Sequence, residues 1–102
     1  MNIYELHEKM TAHLFPSYSS NDIRFLALAL AGEVGELCNL IKKEWRDGAD
    51  NHEEQRDELA DCRVYLELIA KCLGIEGQKL DARVEQKLIQ VVEKHRHRLN
   101  TE

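Results

Sequence analysis

The chemistry this sequence offers lies in two pairs of acids. Glu33 and Glu36 stand in "GEVGEL", and after 21 intervening residues Glu58 and Asp61 stand in "ELAD". Each pair has i,i+3 spacing, which on a helix sets two carboxylates about 60° apart around the axis at 100° per residue. The first pair interrupts an apolar line that reads Leu26, Leu30, Glu33, Leu37, Leu40, and the second leads into Tyr65, Leu68 and Cys72. Ionised carboxylates on an apolar line cost on the order of several kcal/mol each when left without partners, and four together repel one another. A divalent cation relieves both penalties. Mg²⁺ and Mn²⁺ prefer carboxylate oxygens, and two such ions also hold the oxygens of a polyphosphate. No histidine or cysteine stands at ligand spacing beside the acids, which disfavours zinc. One ExxE alone reads as a solvated helix face; two pairs on consecutive helices, both set into the apolar line, read as a site.

These acids need helices to position them, and the sequence predicts four. "IYELHEKMTAHL" (3–14) places Ile3, Leu6, Met10 and Leu14 at helical spacing, and Pro16 closes the run. The Ser/Asn cluster "SYSSND" suits an N-cap for a long helix from about Asp22 to Arg46, which "DGADN" ends. A third helix from about His52 to Leu73 opens on Glu53, Glu54 and Asp57, acids matched to the positive end of a helix dipole, and stops at Gly74. After "GIEG" a fourth, from about Gln78 to Leu99, carries Leu80, Val84, Leu88, Val91 and Val92 on one side and "KHRHR" near its end. With no strand pattern, the expected architecture is an all-α bundle with short connections. Gly32 and Gly35 each cost about 1 kcal/mol inside a helix relative to alanine. They are expected to admit a ligand, a metal shell or a neighbouring backbone, with a small-residue helix contact as the structural alternative.

Length and composition narrow the function classes. The 102 residues make one expected domain, 1–102, too short for separate cofactor and substrate domains. A net charge of -5 argues against a general nucleic-acid binder, and no run of 18 apolar residues suggests a membrane span. Cytoplasmic localisation is the default expectation. Cys38, Cys62 and Cys72 are odd in number, lack CxxC spacing and lie among apolar neighbours, so reduced core thiols are expected.

"GEVGEL" followed by "ELAD" resembles the ExxE...ExxD signature of the MazG-like nucleotide pyrophosphohydrolases, in the all-α NTP pyrophosphatase superfamily. "IKKEWRDG", "VYLELIAKCLGI" and the Lys87-Leu88 pair resemble the family's continuation, so the resemblance runs from about Ile23 to Leu88. It implies a four- to five-helix bundle of the all-α NTP pyrophosphatase type, completed by oligomerisation as a homodimer or homotetramer. The implied activity is Mg²⁺-dependent hydrolysis of a (deoxy)nucleoside triphosphate between the α and β phosphates, releasing the monophosphate and pyrophosphate, in nucleotide-pool housecleaning or control. Mn²⁺ is the expected substitute metal. Glu33, Glu36, Glu58 and Asp61 match the family's metal-binding acids one for one, with Glu36 also assigned to orient or deprotonate the attacking water.

Substrate contacts are expected from Lys87, which matches a family lysine, from Lys43 and Arg46 near the end of the second helix, and from Arg24, which resembles an arginine of dCTP-pyrophosphatase-like relatives. Trp45 has two readings, stacking on a base or covering the core edge. Tyr65 reads as core rather than ligand contact, Lys42 as solvated, and His95 and His97 as exposed. Asn39 and Val84 depart from the pattern, standing where several relatives carry a glutamate and an asparagine. Two other readings compete. A carboxylate di-iron bundle would pair glutamates with Glu-x-x-His, which neither acid pair has. A non-catalytic helical protein that binds nucleotide or a partner would keep the acids without turnover.

Overall fold

A computed structural model describes residues 2–14 and 22–99. Five helices account for 87% of the described residues and no strand occurs among them, so the all-α expectation is met. They are α1 (Ile3–Leu14), α2 (Ile23–Asp47), α3 (His52–Cys72), α4 (Gln78–Lys94) and the single turn α5 (Arg96–Leu99). Pro16 and most of "SYSSND" lie outside the described residues.

The helix ends follow from local chemistry. Asp22 caps α2: its side chain accepts the Arg24 N–H at 3.0 Å while its own backbone stays extended. Gly48, at φ 70°, supplies the left-handed turn that ends α2 and donates its N–H to the Glu44 carbonyl at 2.8 Å. At the end of α3 the Ile75 N–H reaches back to the Ala70 carbonyl at 2.9 Å around Gly74, a Schellman closure that sends the chain toward α4.

The packed body of the chain is the antiparallel α2–α3 hairpin. Leu26 from α2 and Cys62, Leu68 and Ala70 from α3 are its buried apolar side chains. A polar clamp at its closed end sets the register. Asn51 precedes α3 but makes no side-chain cap. Its Nδ2 instead donates across to the Leu40 carbonyl at 2.9 Å, and its Oδ1 accepts from Gln55 Nε2 at 2.7 Å. Gln55 also donates to Glu44 at 3.4 Å, and His52 pairs with the same carboxylate. Asn51 is buried, so its hydrogen bonds form away from competing water. Asn51→Ala is expected to cost about 1–3 kcal/mol, read as a lower urea midpoint at unchanged slope.

Two expectations change, and α1 packs by a face that periodicity does not mark. The first helix buries a polar face, not its apolar stripe: His7 and Thr11 are buried while Leu6 and Leu14 are exposed. α1 meets α3 through the His7 ring, edge-on to Tyr65 at 5.3 Å, and through Tyr4, whose ring lies beneath Lys71 Nζ at 4.5 Å. Aromatic and cation–π contacts select that face over the aliphatic one. The expected core thiols reduce to Cys62; Cys38 and Cys72 are exposed, and none of the three is in a disulfide. Finally, the fourth helix breaks at His95, leaving α5 as a separate turn, and no residue of α4 is buried.

The open arrangement shows in the dimensions. The radius of gyration is 17.5 Å, against about 13 Å for a compact chain of this length. No helix among the described residues is long and apolar enough to cross a membrane.

Candidate metal centre

The α2–α3 hairpin brings the two acid pairs face to face. Glu33, Glu36 and Glu58 each present a carboxylate oxygen, and the three lie within 4.8 Å of one another. Glu33 and Glu58 are half-buried and Glu36 is exposed, so the cluster opens to solvent on the Glu36 side. Asp61 is exposed and stands outside this three-oxygen group, yet its charge acts on Glu33, Cys62 and Tyr65.

The electrostatics are those of a site missing positive charge. Glu33 is pushed up to about 8, first by its side-chain contact with Glu58, then by burial, then by the charges of Glu58, Asp61 and Glu36. Two ionised carboxylates both accept hydrogen bonds, so that contact is attractive only with a proton between them. Glu33 Oε2 and Glu58 Oε2 are shielded from solvent and have no hydrogen-bond partner. Among the described residues, no ion pair joins any of the four acids to a lysine or arginine.

Orphaned oxygens, clustered negative charge and an open side fit a hard divalent cation that keeps part of its water shell. The same surroundings disfavour a soft metal. Burial first, and then the charges of Glu33, Glu58 and Asp61, push the Cys62 thiol up, which keeps it protonated.

Behind the cluster, Tyr65 lies one helical turn beyond Asp61. Burial first, and then Glu33 and Asp61, raise its phenol above the usual range. Its ring meets His7, whose Nδ1 lies 3.3 Å from Thr11 Oγ1 and whose Nε2 is buried without a partner. Burial lowers the His7 pKa, which favours the neutral ring. Sequence reasoning missed His7, because no pattern in "IYELHEKMTAHL" marks it as a ring partner of Tyr65.

None of the expected substrate cations forms an ion pair with the acids among the described residues. Arg24 lies nine residues before Glu33, about 13 Å along the axis, and is paired with Asp22 at 3.1 Å. Lys43 is exposed ten residues after Glu33, about 15 Å along the axis. Arg46 lies further on and forks onto Asp47 at 2.7 and 2.8 Å. Trp45 is 88% exposed, so within one chain it does not cover a core edge. Lys87 is exposed on α4.

The glycines beside the acids also differ from one expectation. A Cβ added at Gly32 or Gly35 would meet nothing within 4 Å, so among the described residues no other backbone approaches them. Gly32→Ala is therefore expected to stabilise the isolated chain by about 1 kcal/mol through helix propensity alone. Thermal unfolding should show a rise of about 4–8 °C; an unchanged or lower midpoint would mean that something outside the chain packs there.

No family model, curated protein or solved structure matches the chain.

Proposed function

We propose that this chain is a Mg²⁺-dependent nucleoside triphosphate pyrophosphohydrolase of the MazG-like type, acting as a homo-oligomer. One observation carries the reading. Two helices bring three carboxylate oxygens within 4.8 Å, and an oxygen on each of two of those residues is buried with no partner in the chain. Structural acids are solvated or paired with cations, and the Oε2 atoms of Glu33 and Glu58 are neither.

Glu33, Glu58, Glu36 and Asp61 would hold the cation. When bound, it supplies charge neutralisation for a triphosphate and for the departing pyrophosphate. Glu36, exposed at the open side, would orient the attacking water and accept its proton. Water oxygen adds to the α phosphorus as the bond to the α–β bridging oxygen breaks, and pyrophosphate carries that oxygen away. Glu33 and Glu58 stay on the buried side and set the charge of the site. Cations for the outer phosphates would come from Lys43, Arg46, Arg24 or Lys87 by rotamer change or from a second subunit, with Trp45 offering an aromatic face to a base.

The test is a panel of canonical and modified (deoxy)nucleoside triphosphates, incubated with and without Mg²⁺ and resolved into nucleotide and phosphate products. Monophosphate and pyrophosphate in equal amounts, only with metal, are expected. Diphosphate plus orthophosphate, or no product, would refute the reading. A second reading, nucleotide binding without turnover, draws on the engagement of Arg24 and Arg46 with their own aspartates; tight triphosphate binding with no product would select it.

A further inference from the structure

Charge is not spread evenly along this chain. Residues 78–99 carry six lysines and arginines against Asp81, Glu85 and Glu93, a net of +3 in a chain of -5, which leaves -8 on the remainder. On α4 the excess is aligned. Lys79, Arg83, Lys87 and Lys94 fall within an arc of about 80° at 100° per residue, and Gln90 is the only other residue of the helix in that arc. Asp81 and Glu85 stand about 160° from Arg83, on the opposite side with Leu88 and Val92. All four bases of the line are exposed.

This alignment opposes local helix chemistry. Lys79 with Arg83, Arg83 with Lys87, and Asp81 with Glu85 are like charges at i,i+4, a spacing at which they destabilise a helix. On α3 the bases do the opposite: Arg56 pairs with Glu53 at 2.5 Å and Arg63 with Glu67 at 3.7 Å. Among the described residues no ion pair reaches any of the four bases of the α4 line. A local rule broken with no compensating contact in the chain marks a surface shaped by something outside it, and the sign of the line makes that partner anionic.

Geometry selects among anions. The line from Lys79 to Lys94 runs about 22 Å along the axis, too extended to converge on one phosphate group but matched to a chain of them. About six phosphates of one strand pass along that length. A bilayer would take up the apolar side of α4, which is turned away from the bases. A protein partner would need an aromatic or aliphatic anchor at the centre of the contact, and the arc contains none. Backbone phosphates need only cations and polar donors. We propose that the α4 line is a sequence-independent binding surface for the phosphate backbone of a nucleic acid. Binding there needs neither the acid cluster nor a divalent ion, so it stands or falls apart from the triphosphate chemistry.

Fluorescence anisotropy tests it, with labelled oligonucleotides of about 20 nucleotides, single-stranded and duplex, titrated with the full chain in EDTA. Four phosphate contacts give a slope of about -3 to -4 in log K against log salt, a loss of roughly 50- to 150-fold between about 50 and 200 mM. Arg83→Ala and Lys94→Ala are each expected to reduce that slope by about one while circular dichroism stays helical. Arg83→Glu/Lys94→Glu should remove binding at the lower salt, and Lys42→Ala on α2 should leave it unchanged. Lys87 stays native in every variant, so triphosphate turnover is read separately. No binding at the lower salt, a slope that both alanine substitutions leave intact, or tighter binding of poly-glutamate or phosphatidylserine vesicles than of either oligonucleotide would overturn the proposal.

Discussion

Glu58→Gln is expected to move activity and stability in opposite directions. The substitution keeps the side-chain shape but removes one of the two charges that face each other across the hairpin. Its new amide donates to Glu33 without needing a bridging proton. The metal-free protein should gain on the order of 1 kcal/mol, seen as a melting temperature about 4–8 °C higher. Metal-dependent turnover of a triphosphate should fall at least ~100-fold, because a ligand to the charge-stabilising cation is lost. A structural carboxylate would give the reverse pattern, with stability falling and activity following it down. Glu33→Gln is expected to behave in the same way, since Glu33 Oε2 and Glu58 Oε2 are both buried without partners.

Glu33 also makes metal-free stability depend on pH in a direction unusual for a carboxylate. Its folded pKa is raised from 4.5 to about 8. Between those values the folded chain holds a proton that the unfolded chain has released, so stability falls as pH rises through that window. Below the unfolded value both states are protonated and the penalty vanishes. Above about 8 it is fully present. Because the cluster is open to solvent on one side, screening reduces the net loss to about 1–2 kcal/mol, or some 5–15 °C in melting temperature. Saturating Mg²⁺ or Mn²⁺ should flatten the profile, since the cation replaces the proton. Apparent Mn²⁺ affinity should rise toward a limit of about tenfold per pH unit below 8, the slope for one proton displaced per ion bound. Melting curves across pH, with and without metal, check both statements; a stability that climbs from pH 5 to 8 would contradict the shared proton.

The parts of the molecule legible in its sequence were those fixed by local pattern. The α2 boundaries lie within a residue of expectation because Asp22 and Gly48 are strong start and stop signals. The meeting of Glu33 with Glu58 was readable because two i,i+3 pairs flank a short turn, and a short turn folds the two helices back on each other. Other features depended on what each helix packs against, which periodicity does not reveal. On α1 the aliphatic Leu6 and Leu14 stay exposed, because His7 and Tyr4 find aromatic and cationic partners on α3. The stripe on α4 follows its periodicity, yet none of the residues of α4 is buried within one chain. Asn51 belongs to the "DGADN" break, yet its amide crosses to the Leu40 carbonyl, a contact that exists only once the hairpin has closed. Long cationic side chains bind whichever acid lies nearest, and for Arg24 and Arg46 that is an aspartate one or two residues away, which periodicity does not reveal.

The central claim is that these carboxylates are a cation cradle, and Mn²⁺ titration followed by electron paramagnetic resonance tests it without reference to any substrate. At neutral pH the free-ion signal should be depleted by one or two equivalents per chain, and Mg²⁺ should restore it by competition. In the Glu33→Gln/Glu58→Gln double variant, shown to be folded by its melting curve, the depletion should disappear. A free-ion signal unchanged by the native protein, or depleted equally by the double variant, would contradict the account.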